Sequence, residues 1–80
     1  MILDLVTLEK TLISKEVKSV IVPGQSGRFE MLNNHAPIVS LLTKGNVKIT
    51  DINNQEENIS ISGGSVEISN NKIIILADTD

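Results

Sequence analysis

Eighty residues allow one small domain. A formal charge of −3 and a single aromatic side chain exclude the usual nucleic-acid binders, which need a basic track for phosphates or rings on which bases stack. With no cysteine and one histidine neither a disulfide framework nor a zinc site can be built, so a domain of this marginal size is expected to lean on a partner.

The opening "MILDLVTLEK" carries Asp4 and lacks a basic segment, so it reads as a strand near 2–7 and not as a signal peptide. Strands near 11–15 and 17–22 follow, ending at Pro23-Gly24. "VIV" at 20–22 is a short unbroken apolar run, as is "IIIL" at 73–76. Such a run reads as a strand buried on both faces, or as one whose outer face meets something. Strands near 28–32 and 38–43 come next, then a Lys44-Gly45-Asn46 turn and a strand near 46–52.

"NVKIT", "NISIS" and "SVEIS" alternate apolar and polar residues, which puts Val47 with Ile49, Ile59 with Ile61 and Val66 with Ile68 on single strand faces. Strands near 58–62, 65–69 and 72–77 are separated by Gly63-Gly64, which gives room for a bulge or tight corner, and by Asn70-Asn71. Two asparagines between β-branched runs suit a two-residue type I′ hairpin, because Asn tolerates positive φ. The last run, Ile73 to Ala77, is the longest apolar stretch, far short of the roughly 20 residues that span a bilayer. About nine short strands without helical periodicity predict an all-β fold, a small antiparallel β-sandwich or barrel in a single domain over 1–80. A soluble cytoplasmic domain is expected.

The stretch "GRFEMLNNHAPIVSLL", 27–42, gathers the rare side chains: the histidine, the phenylalanine, one of two prolines and a pair of asparagines. It could be an active site or a surface that another protein grips. His35 is the one base of the usual kind, and no spacing gives it a nucleophile. Gly24-Gln25-Ser26-Gly27 lacks the Lys-Ser/Thr of a phosphate loop. Glu56-Glu57 reads as a solvated pair at a hairpin tip. No catalytic, cofactor-binding or metal site is expected. Pro37 pushes Ala36 to extended geometry and Asn33-Asn34 can turn the chain. His35 then reads as a loop histidine bonded to nearby backbone. A rigid loop with a polar rim and one exposed aromatic, Phe29, suits a docking surface.

"VPGQSGRFEMLNNHAPIVSLLTKGNVKI", followed by "SGGSVEIS" and "LAD", resembles the N-terminal β-sandwich domain of the ATP synthase epsilon subunit. Gly24, Gly27, Asn34, His35, Ala36, Pro37, Lys44, Gly45, Gly63, Gly64, Val66, Glu67 and Ile68 fall in the family's order and spacing, and Glu9, Leu12 and Ser14 match an earlier segment. The resemblance implies a ten-stranded sandwich in the central stalk of a rotary ATP synthase, on the cytoplasmic side of the bacterial inner membrane. It implies a non-catalytic subunit, without cofactor, that binds gamma and the polar loops of the c-ring as a monomer within a hetero-oligomeric complex. The loop around His-Ala-Pro and the turn before it would lie at one end of the sandwich.

Three departures stand out. The family usually has an acid where Arg28 stands, Gly at Glu30 and Pro at Asn33, and that acid is associated with the ring contact. Two readings stand: a move of the acid by two residues, which keeps its side of the strand, or a ring that presents complementary charges. Arg28, Phe29 and Glu30 are therefore expected on the c-ring side, and Asn34, His35, Ala36 and Pro37 on the gamma side. The sequence stops at "LADTD", where members usually continue into a helical hairpin that can inhibit hydrolysis and, in some, bind ATP. A short form without nucleotide binding is expected. The rivals are a lipoyl- or biotinyl-type carrier with Lys44 at a hairpin tip, although Thr43 and Gly45 do not fit the carrier motif, and an unspecialised β-sandwich adaptor.

Overall fold

A computed structural model describes residues 1–79. Eight strands follow one another: β1 (Ile2–Val6), β2 (Thr11–Gly24), β3 (Gly27–Leu32), β4 (Ile38–Leu42), β5 (Gly45–Asp51), β6 (Glu56–Ile61), β7 (Gly63–Ser69) and β8 (Lys72–Asp78). Among the described residues there is no helix. One layer runs β1-β8-β7-β4, the other holds β3, β5 and β6 around β2, and a single pairing, Gly24 with Leu42, joins β4 to β2. The two layers make a β-sandwich.

Eight strands stand where nine are expected because 11–15 and 17–22 are halves of one strand. Residues 11–16 of β2 pair with β1, and residues 17–24 pair with β3, β4 and β5. Straight, its 14 residues would reach roughly 45 Å, well beyond the 29 Å longest dimension of the molecule, so the strand has to bend. The bend shows in the burial pattern. Ile13 and Val17 point inward, as do Val20 and Val22, with the parity reversed between Val17 and Val20. The register with β5 slips between Val17 and Ser19, the mark of a bulge. One strand thus serves both layers.

The pairings are antiparallel with one exception: β1 lies parallel to β8, from Ile2 opposite Lys72 to Val6 opposite Leu76. This differs from the antiparallel expectation, and the reason is that β1 and β8 are joined through the rest of the fold and need no hairpin.

The core is entirely apolar. Leu3, Leu5, Val20, Val22, Met31, Val47, Ile49, Ile73 and Ile75 are fully enclosed, and among the described residues no polar side chain is buried. Each such side chain contributes about 1.5–3 kcal/mol over an exposed one. The alternating pairs behave as their period demands, with Val47, Ile49, Val66 and Ile68 inward. "VIV" and "IIIL" do not have both faces buried. Ile21 and Ile74 are half-buried and Leu76 is 55% exposed. Asn70 and Asn71 take φ of 52° and 62° between the paired residues Ser69 and Lys72, the two positive values of a type I′ turn. A Cβ on Gly64 would collide with the carbonyl oxygen of Leu76, so β7 and β8 approach there as only glycine allows.

Candidate functional site

The loop 33–37 is tied down at three points. The His35 amide donates to Leu32 O at 3.1 Å, and the Asn34 amide to Asn71 Oδ1 at 2.8 Å. Asn33 Oδ1 accepts from the Met1 ammonium at 3.0 Å. Asn34 has φ of 64°, the left-handed conformation that Asn adopts most readily after Gly. The His35 Nδ1 lies 2.7 Å from Ala36 O, which places a proton on Nδ1 and, in the neutral ring, leaves Nε2 as an acceptor. Asn34, Ala36 and Pro37 are exposed and His35 half-buried. The loop is a firm, bonded surface feature that leads directly into β4.

Arg28 and Glu30 share the outward side of β3, while Phe29 and Met31 turn to the core. Arg28 Nη1 donates to Asn46 O at 2.8 Å, spanning from β3 to the start of β5. Glu30 Oε2 accepts from Ser19 Oγ at 2.6 Å. Phe29 departs from the expectation of an exposed aromatic: its ring is half-buried and packs against the core. It also lies so close to Gly24 that a Cβ there would stand 2.8 Å from the ring. Strand parity is the cause, since residues 28 and 30 face one side and 29 the other. The turn at Gln25-Ser26 and the loop 33–37 lie at opposite ends of the six-residue β3, not together at one end.

Sequence reasoning missed a group of exposed apolar side chains on β4 and β8. On the outside of the β1-β8-β7-β4 layer, register places Leu41, Ser65, Leu76 and Val6 in one cross-strand row, and Val39, Glu67, Ile74 and Asp4 in the next. Val39 is 73% exposed and Leu41 59%. The outside of the other layer is mostly polar by contrast, with Leu32, 51% exposed, as its large exposed apolar side chain beside Ser19. It carries Arg28, Glu30, Ser19, Lys48, Thr50 and Glu56, with a Lys48–Glu56 pair at 3.6 Å. Two apolar pairs, Val39 with Leu41 on β4 and Ile74 with Leu76 on β8, thus flank the polar residues Ser65 and Glu67 of β7, and clustered exposed apolar side chains on a small domain make a candidate contact surface. The signal was the second reading of "IIIL", a strand whose outer face meets something, together with "IVSLL" at 38–42.

Glu56 and Glu57 open β6 and do not form the hairpin tip; Glu57 pairs with Lys15 at 3.4 Å. The tip, residues 52–55, is built on Asp51, whose Oδ1 accepts from the amides of Asn53 at 2.8 Å and Gln55 at 3.0 Å. The Gln55 amide, then the Asn53 amide and the Lys15 ammonium, hold the Asp51 carboxyl below its ordinary pKa against an opposing desolvation. Lys44 stands in a two-residue corner between β4 and β5, whose partners are β7 on one side and β2 and β6 on the other. It is not the tip of a hairpin as a carrier lysine would be. Among the described residues, no three His, Cys, Asp or Glu are grouped to hold a metal ion.

The family model for the ATP synthase delta/epsilon chain β-sandwich domain matches residues 1–79. The chain belongs to that family. This delta/epsilon-type sandwich is 41% identical over 76 residues to the ATP synthase epsilon chain of Chlorobaculum tepidum, covering 95% of this chain and 86% of that relative. It is 38% identical to the ATP synthase epsilon chain of Bordetella avium, of which it spans 54%. Among solved structures it overlays a chain of the Euglena gracilis mitochondrial ATP synthase OSCP/F1/c-ring assembly with a TM-score of 0.91 at 20% identity, covering 96% of this chain and 49% of that one. A chain of the Tetrahymena thermophila ATP synthase central stalk and c-ring gives 0.81 at 18% identity, over 98% of this chain and 63% of that one. These overlays establish the sandwich fold of the delta/epsilon family in this chain.

Proposed function

We propose that this domain is a non-catalytic rotor subunit of an ATP synthase, held between the gamma subunit and the polar loops of the c-ring, on the cytoplasmic side of a bacterial inner membrane. The observation that carries the reading is the unlike character of the two outer faces. One is apolar and bordered by the firm loop at Asn34, His35, Ala36 and Pro37; the other is polar and carries Arg28 and Glu30. A subunit that couples two bodies needs two separate surfaces, each matched to its own partner.

In this reading gamma covers Val39, Leu41, Ile74 and Leu76 together with the loop. The loop is ordered in advance by Asn71 and Met1, so little freedom is lost when gamma docks. The ring loops meet Arg28 and Glu30, whose side chains are held by Asn46 and Ser19. Phe29 supports that strand from the inside. The work is mechanical: gamma and ring turn as one body while ion flux drives synthesis elsewhere in the complex.

Calorimetric titration into the gamma subunit of the same organism tests the reading. Saturable one-to-one binding, weakened strongly by Val39→Asp and less by His35→Ala, is expected. Absence of binding with both proteins folded would refute it.

A further inference from the structure

We infer that Glu67 is the residue by which the apolar face selects its partner, accepting a Lys or Arg side chain that the partner brings within an otherwise apolar surface. This rests on the rotor-subunit reading, with gamma as the partner. Glu67 lies on β7, directly opposite Val39 of β4 and Ile74 of β8. One row to one side holds Leu41, Ser65 and Leu76, and the row on the other holds Ser69, Lys72 and Ile2. The carboxylate therefore stands in the polar column Ser65, Glu67, Ser69 of β7, between Val39 of β4 and Ile74 of β8, where a partner that covers those two side chains also covers it.

Its charge has no counterpart in the domain. Among the described residues, Glu67 enters no ion pair and no side-chain hydrogen bond, whereas the other acid of the same row, Asp4, is engaged by Lys72 at 3.6 Å and by Ser14 Oγ at 2.7 Å. Among the described residues Lys72 is the one cation in these rows, and Asp4 holds it. In the free domain Glu67 is exposed and water satisfies it. A partner covering Val39, Ile74 and Leu76 removes that water.

A carboxylate stripped of water with nothing in return is costly enough to cancel much of the apolar gain. A partner that sets a guanidinium or ammonium opposite Glu67 obtains a charge-assisted pair in a water-poor setting. Surfaces that are merely apolar are rejected by the same group. Glu67 thus turns a sticky sheet face into a selective one and fixes how the partner registers on it.

The test is calorimetric titration of the gamma subunit of the same organism with the wild-type domain, Glu67→Leu and Glu67→Lys, each variant checked for an unchanged thermal melt. Binding weakened at least ~10-fold by Glu67→Leu and further by Glu67→Lys is expected, since truncating one member of a covered charge pair has that scale of effect. Glu67→Leu binding as tightly as wild type, or more tightly, would show a purely apolar partner surface and overturn the inference while leaving the rotor reading in place. Wild type failing to bind gamma would overturn both.

Discussion

The Asn34 amide donates to Asn71 Oδ1 at 2.8 Å, joining two turns that lie 37 residues apart in the chain. The loop before β4 is therefore held by the hairpin between β7 and β8, and the border of the apolar face is set by a residue on neither β3 nor β4. Asn71→Gly keeps the positive φ that the type I′ turn requires and removes only the side chain. A loss of about 1 kcal/mol is expected, with faster hydrogen exchange at the Asn34 amide. Unchanged protection of that amide would show that the loop holds itself.

Gly64→Ala puts a methyl group into the Leu76 carbonyl, at a φ of 142° that side chains avoid. Backbone on both sides must shift, so a loss of at least ~2 kcal/mol is expected. A urea titration reads it directly, and a midpoint equal to that of wild type would mean that β8 yields freely.

Phe29 and Arg28 are neighbours with opposite duties. Phe29→Ala removes a half-buried ring from the core margin, and a loss of about 2 kcal/mol is expected, below the range for fully buried rings. Arg28→Ala loses one exposed hydrogen bond to Asn46 O and is expected to change stability by less than ~1 kcal/mol. Paired thermal melts separate the two. Equal effects would contradict the placement of Phe29.

The Asp51 carboxyl titrates below its ordinary 3.8 in the folded protein. A group with a lowered folded pKa contributes stability that is present above the unfolded value and is lost as pH falls through the folded one. Stability is thus expected to decline below about pH 4, and Asp51→Asn, which keeps an oxygen for the turn amides, flattens that decline. Equilibrium unfolding measured from pH 6 to pH 2 checks it. A decline equally steep in the variant would place the acid sensitivity elsewhere.

The strands were legible because β-branched residues alternate cleanly and Asn or Gly punctuates the turns. "NVKIT" and "SVEIS" announce their inward residues, and Asn70-Asn71 announces its turn. Long-range relations were not legible. Nothing in "TLISKEVKSVIVPG" marks where one strand passes between layers, since a bulge changes parity without needing a Gly or Pro. The parallel neighbours β1 and β8 have no local signal, because no turn joins them. Of the candidate site, the rigid loop showed through Asn34 and Pro37, whereas the apolar face is assembled from β4, β7 and β8 and exists only once those strands are side by side. Phe29 was misread as exposed because an isolated aromatic has no period by which to assign its face.

The parallel pairing of β1 with β8 also sets how the domain bears load. Traction applied at Ile2 and at Ala77 would draw β1 and β8 past each other along their length, from Ile2 opposite Lys72 to Val6 opposite Leu76. Every rung between them would be strained at once, as in a lap joint, where an antiparallel hairpin pulled at its open end would unzip rung by rung. Single-molecule stretching between those two positions should show one high-force rupture, and gradual yielding would contradict it. Under the proposed rotor role, the joint that closes the sandwich is the one that resists being sheared open.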